Sequence, residues 1–222
     1  MKRSAKPTLI ALLLCTALVL PAVGAQASTI QPPPPLPPTV VQAAGVTHLQ
    51  LLGYGRFRKL LWDVFDASLW VPGDRWSPNQ TFVLELRYAR DVKGADIVDG
   101  TRDQWKHLGY DDQARLTEWL AQLSAIFPDV KKGDQLAGVY LPGRETRFFH
   151  NGEPIGEIKD PEFGRHFFAI WLDEKTSQPA LRADLLGHGC AKPTTVAQAE
   201  VQPCGGATMP TPSTHRPDSD PS

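Results

Sequence analysis

Residues 51–71 read Leu51-Leu52-Gly53-Tyr54-Gly55-Arg56-Phe57-Arg58-Lys59-Leu60-Leu61-Trp62-Asp63-Val64-Phe65-Asp66-Ala67-Ser68-Leu69-Trp70-Val71. From Leu60 onward the stretch is apolar, with Asp63 and Asp66 as interruptions, and it stops at Pro72-Gly73. That pattern predicts a long strand, preceded by a shorter one over Val46–Leu52. Asp63 and Asp66 stand three residues apart. On a regular strand they point to opposite faces, so they read as partners for nearby arginines or lysines and not as a catalytic carboxylate pair.

The pattern continues outward. Thr81–Arg90 alternates, with Phe82, Leu84, Leu86 and Tyr88 on one face and Glu85 and Arg87 on the other, as in a half-buried strand. Leu136–Leu141 and Thr146–His150 read as strands joined through Pro142-Gly143. Asn151-Gly152 is a hairpin signal, and a strand follows near Pro154–Lys159. Helical spacing appears over Asp96–Leu108 (Ile97, Thr101, Trp105, Leu108). It recurs over Asp111–Phe127 (Leu116, Trp119, Leu120, Leu123), which is capped by Asp111-Asp112 and stopped by Pro128. A third helix is expected from Asp160-Pro161, and a short one from Ser177 or Gln178 to Leu186-Gly187. Strands, two helices, strands, then helices give an α+β fold with an antiparallel sheet.

Composition confines the core. The six tryptophans, four tyrosines and nine phenylalanines of the 222 residues all lie between Tyr54 and Trp171. Of the 21 prolines, six sit instead in Gln31–Pro38 and six more after Gly189. Residues 46–188 are therefore the expected domain. It lies between a Pro-rich linker, 28–45, with a polyproline II spacer in it, and a disordered tail, 189–222. Residues 1–27 read as a signal peptide. Lys2, Arg3 and Lys6 precede the apolar run Leu9–Leu20, and Ala25-Gln26-Ala27 offers a cleavage point. The expected location is periplasmic or secreted, with no stable membrane insertion after cleavage near Ala27. In an oxidising compartment Cys190 and Cys204 are a possible disulfide, worth about 3 kcal/mol by loop entropy. A net charge of −1 excludes a strongly basic nucleic-acid binder as the first reading, so nucleic acid is not an expected partner.

Chemical motifs are sparse. The sequence has no G-x-S-x-G, C-x-x-C or H-E-x-x-H and no phosphate-cradling glycine loop. Gly53-Tyr54-Gly55 alone does not make a dinucleotide site. His150 and His166 read as ordinary surface or core histidines and not as metal ligands, and no cofactor is expected.

Residues 51–71 resemble the first two strands of the chalcone isomerase-like family, which has a G-x-G turn, a basic-apolar stretch and a V-x-x-A-x-L-aromatic strand. Gly94-Ala95-Asp96-Ile97, Phe149-His150-Asn151-Gly152 and Phe168-Ala169-Ile170-Trp171-Leu172 continue the resemblance over about Val46–Gly187. Phe127–Leu141 and the ending Trp171-Leu172-Asp173 look like bacterial, exported members. The resemblance implies an open-faced β-sandwich, in which a large antiparallel sheet is covered on one side by helices with a ligand cleft between. Plant members close a chalcone into a flavanone, using arginine, tyrosine, threonine, asparagine and a further Ser/Thr. Other members bind fatty acids through an arginine and a tyrosine.

Aligned by eye, the enzyme positions fall on Phe57, Phe65, Ile97 and Gln104 and near Gly164. The grip positions of the fatty-acid binders fall on Phe57 and Trp70. Phe57, Phe65 and Ile97 neither donate nor accept a hydrogen bond, whereas placed donors are usually the largest catalytic term. The resemblance thus implies a non-catalytic, exported protein binding a small apolar or amphiphilic ligand such as a fatty acid. Arg56, Arg58, Arg87, Tyr88 and Trp70 are the candidate ligand residues, with Arg90 nearby. An isomerase or lyase using other residues, or a protein-interaction module, are the alternatives. The oligomeric state is open.

Overall fold

Alternating residues give one strand two different surfaces, and the architecture follows from that division. The computed structural model describes residues 30–188. Six antiparallel strands form one sheet in sequence order: β1 (Gln50–Lys59), β2 (Trp62–Val71), β3 (Phe82–Tyr88), β4 (Gln135–Leu141), β5 (Glu145–His150) and β6 (Glu153–Ile158). Helices α2 (Gly94–His107) and α3 (Gln113–Ile126) leave the sheet between β3 and β4. Helices α4 (Phe163–Leu172) and α5 (Pro179–Leu185) follow β6, and all four lie on one face. The opposite face carries a short helix, α1 (Pro38–Ala44). The α+β class and the antiparallel sheet are as expected.

The helical layer is attached by aromatic rings. Trp119 stands 5.7 Å from Trp105 and 5.5 Å from Phe163, and Phe148 of β5 stands 5.3 Å from Phe167 of α4. The two buried indoles also find acceptors. Trp105 Nε1 donates to the His166 carbonyl at 2.9 Å, and Trp119 Nε1 donates to the Asp160 carboxylate at 3.0 Å. Asp112 caps α3 by accepting from the Arg115 amide.

Several elements differ from the sequence reading. β1 starts at Gln50 and runs straight through Gly53-Tyr54-Gly55, which is therefore not a turn. The turn is Leu60-Leu61, so β2 begins at Trp62. Asp160-Pro161 precedes α4 and does not open it, because Asp160 Oδ1 accepts the Glu162 amide in a turn of its own. The end of the expected linker is α1, which starts with Pro38 at its first turn and buries Val40 and Ala44 on the sheet, with Leu36 just before it. A β-bulge at Val64 separates the pairs Phe57–Phe65 and Arg58–Asp63. The extra residue brings Asp63 and Asp66 to the same face. Arg56 there donates Nη1 to Asp63 at 2.8 Å and Nε to Asp66 at 2.5 Å. The Asn151-Gly152 turn has positive φ at both central residues, as a type I′ hairpin requires. The signal segment, the possible Cys190–Cys204 bridge and the tail lie outside the described residues.

Gly53 and Gly55 seat the last helix on the first strand. A Cβ on Gly53 would run into the backbone carbonyls of Asp184 and Leu185. One on Gly55 would stand 2.8 Å from the Asp184 carboxylate. The glycines are there because α5 lies directly on β1 and leaves no space for a side chain. Gly53→Ala is expected to cost about 2–3 kcal/mol in urea unfolding, the range for overpacking. Gly100→Ala, in α2 with nothing within 4 Å, is expected to stabilise by about 0.5–1 kcal/mol through helix propensity.

The outer face holds a buried carboxyl. Glu85 is 2% exposed, opposite Ser68 and Ala137. Burial pushes it from the usual 4.5 up to about 7, against the opposing pull of Arg87. The folded chain therefore holds this proton more tightly than the unfolded chain does. The resulting stabilisation is complete below about pH 4.5 and is lost as pH rises through about 7. Glu85→Gln is expected to match the wild-type melting temperature near pH 4. Near pH 8 it is expected to exceed it, reflecting a stability gain on the order of 3 kcal/mol at most.

Candidate functional site

On the helix-facing side of the sheet, Phe57, Phe65 and Tyr88 stand directly opposite one another across β1, β2 and β3. Phe57 and Phe65 stack at 5.0 Å, and Tyr88 meets Phe65 edge-on at 6.0 Å. This ladder floors a cavity of about 1030 Å³. Ile97, Thr101 and Gln104 of α2 form one wall. Phe167, Phe168 and Ile170 of α4 and Leu181 of α5 close the far side. The rings that fix α2, α3 and α4 to Phe148 of β5 hold the helices toward one end of the sheet, and the space is left toward the other. The lining is mostly carbon, and the volume is that of a small-molecule site.

Few polar groups face this space. The Tyr88 hydroxyl has no hydrogen-bond partner among the described residues. Burial holds its phenol above the usual tyrosine range, so it is a neutral group that can donate or accept. Gln104 Oε1 accepts from Ser177 Oγ at 2.7 Å, and both residues line the cavity. Charges gather at the mouth. Arg58, Lys59 and Arg90 stand on the sheet side, and Asp91, Asp96 and Asp99 stand at the base and on the first turns of α2. Arg58 Nε donates to Asp63 at 2.6 Å. Asp91 is held below the usual carboxylate range by the Lys132 amide and the Lys131 ammonium.

Of the residues singled out in the sequence, Arg58, Tyr88 and Arg90 line the cavity. Arg56, Arg87 and Trp70 are on the other face of the sheet. Arg56 is tied to Asp63 and Asp66. Arg87 sits opposite Asp66 and Gln135, with Nη2 buried and without a hydrogen-bond partner among the described residues. Trp70 packs beneath α1 and donates its indole N–H to Ser68 at 3.0 Å. Strand parity places these three away from the cavity. Phe57, Phe65, Ile97 and Gln104, named from the alignment, do converge on it. Gly164 does not, because it is pressed against Tyr140 and Thr146.

The Gln104–Ser177 pair was not foreseen. Ser177 lies in a connecting segment, and no periodicity marks it. Phe167 and Phe168 carried a signal, since the α4 stripe has more aromatics than one buried face needs, but the stripe reads as core. His150 pairs with Asp134 at 3.1 Å, and His166 lies against Tyr110 and Trp119. Among the described residues no group of three or more His, Cys, Asp or Glu is arranged to hold a metal. The arrangement can enclose an apolar body, with a few neutral polar groups inside, Tyr88 and the Gln104–Ser177 pair among them, and charges of both signs at its opening.

A family model described as chalcone isomerase-like matches residues 36–187. An uncharacterized protein of Haemophilus influenzae is 25% identical over 150 residues, which cover 67% of this chain and 73% of that protein. A solved structure of a fatty-acid binding protein from Arabidopsis thaliana superposes with a TM-score of 0.52. It is 13% identical and covers 64% of this chain and 89% of that one, a likeness of fold. The aromatic-floored cleft between an antiparallel sheet and its helices and the match over most of the described residues agree: the chain belongs to the chalcone isomerase-like family.

Proposed function

We propose that this protein is an exported, non-catalytic carrier that holds an apolar or amphiphilic molecule, such as a fatty acid, between sheet and helices. The cavity carries the reading. A space of about 1030 Å³ floored by Phe57, Phe65 and Tyr88 suits an acyl chain or a similar body. Ligands of this kind draw their affinity from apolar burial, with a few polar groups fixing orientation. The fatty-acid binding protein of similar fold supports the ligand class.

The lining also argues against the family's cyclisation chemistry. Phe57, Phe65 and Ile97 occupy the cavity wall, where that chemistry needs donors, and loss of even one such donor costs about 10²–10³ in rate. An acid head fits best at the mouth. There Arg58 and Arg90 flank the opening, and Tyr88 lines the space with no hydrogen-bond partner for its hydroxyl among the described residues. The grip differs from that of the fatty-acid-binding relatives, whose positions here are Phe57 and Trp70.

Titration of a fluorescent long-chain fatty acid into the purified protein is expected to saturate at one site. The double variant Arg58→Ala, Arg90→Ala is expected to weaken binding about tenfold or more, the scale of one charge-assisted hydrogen bond. The same variant should bind the matching fatty alcohol as wild type does. Absence of saturable binding by wild type overturns the carrier reading. Equal binding of the acid by both proteins removes the arginines from it. Export carries its own measurement, since N-terminal sequencing of the extracytoplasmic protein is expected to begin near Ser28, and a start at Met1 overturns it.

A further inference from the structure

The β1–β2 turn places three large apolar side chains in water. Leu60 is 91% exposed, Leu61 95% and Trp62 66%, and no other large apolar residue among the described residues is comparably exposed. A two-residue hairpin turn ordinarily takes Asn, Asp or Gly. Leu60 instead adopts φ +57°, a left-handed conformation unfavourable for a leucine. The tip thus goes against both solvation and backbone preference, although polar turn residues would satisfy each. Such local conflicts concentrate at functional sites.

The charges around the tip name its partner. Lys59 precedes Leu60, and the Arg90 guanidinium stands 5.9 Å from the Trp62 ring centroid. Neither cation is in an ion pair among the described residues. The nearby acids are already engaged: Asp63 with Arg56 and Arg58, Asp66 with Arg56, and Asp91 with Lys131. Asp96 and Asp99 lie across the mouth on α2. Aliphatic side chains at an extreme tip, with Trp62 and its cross-strand partner Lys59 behind them and Arg90 over the indole, match the layering of a bilayer surface. Acyl chains lie innermost there, the interfacial zone favours indole, and phosphates lie outermost. Tip-to-tip pairing with a second copy would instead bring two sets of Lys59 and Arg90 together.

We propose that the Lys59–Trp62 tip, with Arg90, docks this protein reversibly onto an anionic phospholipid surface. The contact is peripheral, since no helix among the described residues is long and apolar enough to cross a membrane. The inference rests on the tip and the adjacent Arg90, and Leu61→Ser, at a residue outside the cavity lining, tests it whatever the cavity binds.

Flotation of the purified protein with phosphatidylglycerol-containing vesicles tests it, with pure phosphatidylcholine vesicles as the reference. Wild type is expected to float with the anionic vesicles. Leu61→Ser, Trp62→Ser is expected to lower the bound fraction at least tenfold. Lys59→Ala, Arg90→Ala is expected to lower it on anionic vesicles only. Melting temperatures recorded for each variant confirm that the fold is kept, and Leu61→Ser alone serves as a milder second variant. Wild type that stays unbound overturns the proposal, as does a Leu61→Ser, Trp62→Ser variant that floats as well as wild type. Sedimentation velocity supplies a further overturning outcome: a wild-type dimer that the tip variants lose, with no flotation, assigns the tip to a second copy.

Discussion

The aromatic packing that ties the helical layer to one end of the sheet is the constraint on which the rest depends. Trp105, Trp119 and Phe163 lock α2, α3 and α4 together, and Phe148 carries that lock into β5. At the other end α5 is pressed against Gly53 and Gly55. Between these two attachments the helices bridge β1–β3 without filling the space above them. Protein interiors normally close such gaps. Here the gap persists because the helices are held at both ends by contacts that a collapse would break.

The same strands carry unlike chemistry on their two faces. Toward the helices they present Phe57, Phe65 and Tyr88. Away from them they present Arg56, Asp66, Arg87 and Glu85, partly sheltered by α1 and the chain leading to it. The bulge at Val64 makes the outer arrangement possible by letting both aspartates reach one guanidinium. Removing a partner from such a part-buried cluster leaves charge without compensation, so the cluster fixes strand register as well as contributing stability.

Where local pattern decided the outcome, it was legible. The strand at Phe82–Tyr88, the stripes of Leu116, Trp119 and Leu123, and the Asn151-Gly152 turn all follow from side-chain period or turn chemistry, and the structure shows each of them, although the strand expected to be half-buried is buried on both faces because α1 covers the outer one. What the sequence hid was non-local. Gly53 and Gly55 look like punctuation but answer to a helix about 130 residues away (positions as numbered in the chain). Helix α1 is masked by prolines and is too short to form without the sheet beneath it. The arginines nearest the resemblance were natural anchors, yet Arg56 and Arg87 face away from the cavity because each neighbours, on its own strand, a residue that faces in: Phe57 and Tyr88. Phe57, Phe65, Ile97 and Gln104 were named as departures from an enzyme, and the structure brings them together as the wall of a cavity.

The seating of α5 on β1 also orders events in time. Asp184 and Gly53 are joined only after nearly the whole folded block has been made, and contacts closing over such a separation form slowly. A chain that emerges from its N-terminus builds the sheet and the aromatic lock first. Until Leu181 arrives, the groove above Phe57 and Phe65 has no wall on that side. A newly made molecule whose helices dock in chain order therefore passes through a stage in which one side of its greasiest surface is open. During that stage loading a bulky guest, capture by a chaperone and misassociation with a neighbour compete on equal terms, and closure by the last helix ends the competition.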